Sequence, residues 1–169
     1  KGKYILAVDD EKDILETITD ILDEAVIDWA LEYQNASKKI KAVKYDLVIL
    51  DIMGVNGLKL LEESVDRGIP TVMLTAYALN PETLMESIKK GAISYLPKEK
   101  LSELDGLLNA ILGAINRNEP TWQLLFENLW DYFNDRWGPG WQERDKEFWL
   151  KFCRAYSIGK GIQERFFNG

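Results

Sequence analysis

Asp9, Asp10, Asp51, Thr75 and Lys98 are the residues of this 169-residue chain that could do chemistry together. Each follows closely on a short apolar run: residues 4–8 precede the paired aspartates, 47–50 precede Asp51, 71–74 precede Thr75 and 93–96 lead to Lys98. Three carboxylates brought together repel one another and raise each other's pKa unless a cation sits among them. Oxygen donors without His or Cys suit Mg²⁺, a hard ion that keeps several waters and binds through one or two carboxylates plus phosphate oxygens. A carboxylate can also be the nucleophile of phosphoryl transfer, forming an aspartyl phosphate. The transferred charge then needs a metal on one side and a cation and a hydroxyl on the other, the types of Lys98 and Thr75. A single strand-end Asp reads more simply as a helix N-cap; five suitable groups at four strand ends favour a site.

Positioning these groups requires a particular scaffold. Between the apolar runs lie segments of helical period: Ile14, Ile18, Ile21 and Leu22, then residues 36–43, 58–65, 81–90 and 101–115, with a further strand over 26–31. Five strands alternating with five helices, the strands almost continuously apolar, predict a doubly wound five-stranded parallel α/β sheet covered on both faces. In such sheets the site lies beyond the carboxyl ends of the strands.

Four strings carry a resemblance in combination: Ile5-Leu6-Ala7-Val8-Asp9-Asp10-Glu11, Asp46-Leu47-Val48-Ile49-Leu50-Asp51, Leu74-Thr75-Ala76-Tyr77-Ala78 and Gly91-Ala92-Ile93-Ser94-Tyr95-Leu96-Pro97-Lys98. In their order and spacing, residues 1–117 resemble a response-regulator receiver domain, the flavodoxin-like phospho-acceptor half of two-component signalling. The resemblance implies that Asp51 is phosphorylated by a sensor histidine kinase or phosphotransfer protein. It further implies that Asp9, Asp10 and the backbone carbonyl of Met53 hold Mg²⁺ with Asp51. Lys98 would pair with the phosphoryl group, Thr75 would turn inward to bond it, and Tyr95 would be the aromatic switch; the plainer reading of Tyr95 is a half-exposed strand aromatic. Such a protein catalyses only its own phosphorylation and dephosphorylation.

Two features depart from the family pattern. After Asp51 the family usually runs through a longer loop containing Pro, whereas Ile52-Met53-Gly54-Val55-Asn56-Gly57 reaches Gly about two residues early and lacks Pro, so a tighter loop is expected, with Gly54 and Gly57 able to take positive φ. In the family Lys98 is usually followed by Pro; here Pro97 precedes it and Glu99 follows, which predicts a trans Lys98–Glu99 bond.

Composition sets the outer limits. Against a prior of about 150 residues per domain, the length fits one domain with an appendage. The net charge of −7 disfavours general binding to nucleic acid or anionic membrane. The absence of His excludes a His-based triad or zinc site within these residues. Lone Cys153 cannot form an internal disulfide. No apolar run nears the roughly 20 residues of a membrane span, and Lys1-Gly2-Lys3 leads into a strand rather than a signal peptide, so a cytoplasmic location is expected. The missing initiator Met points to an excerpted sequence.

Residues 118–169 differ in kind: thirteen of the 19 aromatic residues fall within 120–169, a stretch of zero net charge. Leu124, Leu125, Leu129, Trp130, Phe133 and Trp137 have helical spacing; Gly138-Pro139-Gly140 breaks it; Phe148, Trp149, Phe152, Cys153 and Tyr156 form a second stripe ending near Gly159 and Gly161. The pattern predicts a helical hairpin of no recognised output family. Fifty residues make a small core, so its aromatic face is expected to bury against the receiver, a second copy (a possible homodimer) or another protein. Balanced charge argues against a DNA-reading helix, and the missing Lys-rich face against a membrane helix.

The leading expectation is a phosphorylation-controlled response regulator acting on a partner or on its own assembly. The alternatives are an aspartyl-nucleophile phosphohydrolase, which would carry a second Asp where Met53 stands, and a constitutive scaffold with a non-switching receiver.

Overall fold

The structure, a computed structural model, describes residues 2–76 and 80–168. Tyr77 and Ala78 of the third motif therefore lie outside the described residues. Strands β1 (Tyr4–Val8), β2 (Val26–Ala30), β3 (Leu47–Asp51), β4 (Thr71–Thr75) and β5 (Ser94–Pro97) form one parallel sheet in the order β2-β1-β3-β4-β5. They alternate with α1 (Lys12–Ile21), α2 (Tyr33–Ala42), α3 (Gly57–Asp66), α4 (Pro81–Lys89) and α5 (Leu104–Asn116). This is the flavodoxin-like order, in which the chain switches direction between β1 and β3 and leaves a crevice at their carboxyl ends. The helix expected from residue 101 starts at Leu104, behind a 3₁₀ turn over Lys98–Glu103.

Burial follows position only in part, since β5, at one edge of the sheet, is buried throughout. Every residue of β3 and β4 is buried, as inner strands covered on both faces must be, whereas β2, at the edge, has only Ala30 fully buried and leaves Val26 58% exposed. Register then sets the functional rung. Val8 pairs with both Ala30 and Leu50, so Asp9 and Asp51, each one residue further on, end neighbouring strands at the same height. Thr75 pairs with Pro97, placing Lys98 one step beyond.

The chain divides into two compact units, Lys1–Asp105 and Gly106–Gly169. The division falls inside α5, earlier than the 117/118 change in composition. Beyond α5 the second unit holds α6 (Thr121–Trp137), a 3₁₀ turn over Trp141–Asp145, α7 (Lys146–Ala155) and α8 (Lys160–Asn168).

The tail corrects the two-helix expectation. Gly159 and Gly161 do not end it; α7 stops earlier, where Ser157 takes φ 52° and the Ile158 N–H returns to the Cys153 carbonyl at 3.1 Å. That is a Schellman-type closure, with buried Ile158 as its apolar anchor. The chain then restarts as α8, whose Ile162 and Phe166 are buried four residues apart.

The aromatic face also finds its cover within the tail. Phe126 is fully buried, with the rings of Trp122, Trp130, Phe133, Trp149, Phe152 and Phe166 at centroid distances of 5.1–6.5 Å. Most of these meet edge to face, the arrangement favoured by ring quadrupoles. Cys153 is buried beside them and its thiol is pushed up to about 11 by burial, which keeps it protonated and inert.

Truncating the central ring tests this core. Phe126→Ala should cost about 3–5 kcal/mol and abolish the near-ultraviolet circular dichroism of the tail tryptophans. A thermal or urea melt showing a loss below about 1 kcal/mol would mean that the rings are not packed as a core.

Candidate functional site

The rung set by strand register gathers the predicted groups. Candidate ligand oxygens of Asp9, Asp10 and Asp51 all lie within 4.8 Å of one another, with Asp9 and Asp51 buried and Asp10 exposed. The Lys98 ammonium sits among them, 2.9 Å from Asp9 Oδ2 and 3.3 Å from Asp51 Oδ1. Glu11, which sequence reasoning did not single out, supplies a third carboxylate at 3.0 Å. Its position directly after the aspartate pair was the only available signal. Thr75 ends β4 fully buried, and its hydroxyl has no hydrogen-bond partner of ordinary geometry among the described residues.

Burial dominates the electrostatics. Desolvation raises Asp9 to about 6, against the pull of the Glu11 N–H (2.8 Å) and Lys98. Asp51 is raised by the same cause; Lys98 opposes the shift, and Asp10 and Glu11 add to it. For Lys98 burial acts against the charge, but bonds and charge from Asp9, Glu11 and Asp51 outweigh it and hold the ammonium well above its ordinary value.

The remaining candidates fall around this cluster. Tyr95 is fully buried, which rules out the half-exposed reading, and its hydroxyl lies 2.8 Å from Thr83 Oγ1 in α4. Burial raises the phenol to about 12, with Thr83 and Thr75 close enough to pull it partly back. The Met53 side chain is 64% exposed; its carbonyl accepts the Asn56 N–H at 2.9 Å, which leaves one lone pair of that oxygen uncommitted.

A family model described as "Response regulator receiver domain" matches residues 5–111. The chain belongs to that family. It is 31% identical over 118 residues to the two-component response regulator ARR10 of Arabidopsis thaliana, covering 63% of this chain and 20% of that protein. It is 30% identical over 136 residues to the transcriptional regulatory protein DesR of Bacillus subtilis, covering 77% and 67%. The chain thus spans about a fifth of the length of the first of these relatives. A crystal structure of a two-component response regulator from Clostridium difficile superposes with a TM-score of 0.62 at 28% identity, covering 68% of this chain and 99% of that one. Among the described residues no helix is long and apolar enough to cross a membrane.

In the loop after Asp51 the freedom available to the glycines is not used. Neither Gly54 nor Gly57 takes a positive φ; Asn56 does, at 55°. Asn tolerates the left-handed region, and here it closes a turn in which the Asn56 N–H bonds Met53 and the Gly57 N–H returns to the Ile52 carbonyl. The glycines serve by lacking a side chain. A Cβ on Gly57 would stand 2.0 Å from the Asp51 carbonyl oxygen, and one on Gly54 2.5 Å from the Asp10 carboxylate. The Lys98–Glu99 bond is trans, as are the other described peptide bonds.

The oxygen-only donor set and the mutual spacing of the three aspartates fit a small divalent cation such as Mg²⁺. Two outcomes follow. Gly57→Ala should destabilise the receiver by more than about 2 kcal/mol in a denaturant melt, because backbone rather than a flexible side chain must yield; a neutral result would refute the close approach. The second concerns pH. Folded Asp9 and Asp51 titrate above their unfolded values, so the folded state binds more protons, and metal-free stability should fall as pH rises from about 4 to 6. Metal needs the ionised carboxylates, so Mg²⁺ affinity measured by calorimetry should weaken as pH drops below about 6. A flat profile between pH 5 and 8 would contradict the shift.

Proposed function

We propose that this receiver accepts a phosphoryl group on Asp51 from a sensor histidine kinase or phosphotransfer protein, in a Mg²⁺-dependent step, and that the modification controls a protein partner. One observation carries the reading: Asp51 is a buried carboxylate flanked by the Lys98 ammonium and by the Asp9–Asp10 pair on a single rung. In the transfer, a carboxylate oxygen of Asp51 forms a P–O bond as the P–N bond of a phosphohistidine breaks, and the departing imidazole takes up a proton. No histidine occurs in these 169 residues, so the donor nitrogen comes from outside them.

Asp9, Asp10, Asp51 and the Met53 carbonyl would hold the metal, which when bound offsets charge on the phosphoryl oxygens. Lys98 supplies the protein's own positive charge, and the buried Thr75 hydroxyl, which has no partner of ordinary hydrogen-bond geometry among the described residues, is the donor placed to bond the new group. Tyr95 follows as the switch aromatic, with Thr83 on α4 as its anchor. Position 53 carries a thioether, which can neither give nor take a proton, so multiple turnover of small phosphate esters should be negligible. The charge-balanced tail favours a protein output over nucleic acid. Most of its rings are spent on its own core, so an output partner or second copy meets a largely polar exterior on which Tyr132, Trp137, Phe148, Tyr156 and Phe167 are partly exposed.

Phosphoramidate, a small-molecule donor, tests the acceptor. Intact mass spectrometry should show one added phosphoryl group on the full chain with Mg²⁺, and none on Asp51→Asn or with the metal chelated. Modification of Asp51→Asn to the same extent would sink the assignment.

A further inference from the structure

We propose that Glu11 is a positioning residue for Lys98: its carboxylate holds the ammonium at the rim of the site and is the partner Lys98 gives up when a phosphoryl oxygen arrives on Asp51. The proposal rests on the phospho-acceptor reading above. It begins from a count of donors. An ammonium has three N–H groups, and three carboxylates surround this one: Asp9 at 2.9 Å, Glu11 at 3.0 Å and Asp51 at 3.3 Å. Of the three, only the contact to Glu11 has hydrogen-bond geometry, so bringing the ammonium to bear on a phosphoryl oxygen at Asp51 means giving up or lengthening that bond at the rim.

Exposure points the same way. The side chains of Asp9 and Asp51 are 0% and 5% exposed, that of Glu11 61%. Releasing Asp9 would strand a buried charge without its partner, a heavy cost. Releasing Glu11 returns a carboxylate to water, and exposed pairs are weak. The helix does not need this side chain either. Glu11 occupies the N-cap of α1, a position usually held by a residue whose side chain caps the first turn, yet it makes no capping bond. Its reach goes to Lys98 instead. While the pair persists it draws the ammonium outward and adds negative charge near an incoming dianion. Glu11 thus tunes how readily the site takes and keeps its phosphoryl group.

Beryllium fluoride, which mimics a phosphoryl group on a carboxylate, gives the test by calorimetric titration into the full chain with saturating Mg²⁺. Glu11→Gln should bind it about two- to fivefold more tightly, the range an exposed ion pair allows. The gain should shrink at high salt, and the melting temperature should stay within about 2 °C of the parent. Glu11→Asp keeps the charge but is one methylene short of Lys98, so it should also bind more tightly than the parent. Unchanged or weaker binding by Glu11→Gln overturns the proposal while leaving the acceptor reading intact. A Glu11→Asp variant that matches the parent overturns it as well, because a remote field effect would then suffice. If the parent fails to bind beryllium fluoride, or Asp51→Asn binds equally, the reading of Asp51 fails and the positioning role falls with it.

Discussion

The Lys98 ammonium is what allows this sheet to end in buried carboxylates. Ionised Asp9 and Asp51 without a countercharge would be among the most costly groups a core can hold, and both lie at the end of inner strands with almost no exposure. The cation comes from far across the sheet. With strands about 4.8 Å apart, β5 stands two spacings from β3 and three from β1. Only a long flexible stem can bridge that distance, and it must cross the rung where β4 ends. Thr75, small and fully buried, occupies that rung. The register Thr75↔Pro97 therefore matters as much as the charges do: one residue of slip would turn the side chain at the β5 end to the opposite face.

A second polar connection leaves the site in another direction. The Thr83 hydroxyl donates to the Asn80 carbonyl at 2.8 Å, and a hydroxyl has a single proton, so in its 2.8 Å contact with Tyr95 it must accept. Asn80 in turn caps α4 by accepting the Thr83 N–H at 2.9 Å. The direction Tyr95 to Thr83 to Asn80 ties the ring of β5 to the first turn of α4. Any movement of that ring would alter the bonding of a helix N-terminus, a local event of the kind that biases a two-state element.

Much of this was legible in the sequence because β1, β3, β4 and β5 are nearly continuous apolar runs, each followed by a polar group. Periodicity reports burial, and the strand end reports direction, so Asp9, Asp51, Thr75 and Lys98 could be placed before any coordinates. Glu11 was harder to read, because an exposed acid at a helix start has an ordinary explanation that the structure removes by showing no cap bond. Asn56 was hidden for a similar reason. Glycine is the usual residue at positive φ, yet the constraint on Gly54 and Gly57 is proximity to Asp10 and Asp51. Proximity across a fold has no local signature.

The tail shows a different limit, one of magnitude. A segment of fifty residues is small by the usual relation between chain length and buried surface, and that relation predicted an aromatic face in need of a partner. It assumes average side chains. Each buried aromatic ring removes about 150–250 Å² from water, so a segment this rich in rings gathers the apolar area of a longer one. The closure at Ser157 adds the geometry, since turning the chain after α7 returns Phe166 to within 4.8 Å of the Trp130 ring and 4.7 Å of Trp149. Gln142 then donates from this core to the carbonyls of Arg165 and Phe166 near the end of α8, where helical partners run out. Two amphipathic stripes joined by a Gly-Pro-Gly break suggest a hairpin with an open face; a third short helix, bearing little more than Ile162 and Phe166, is enough to close it.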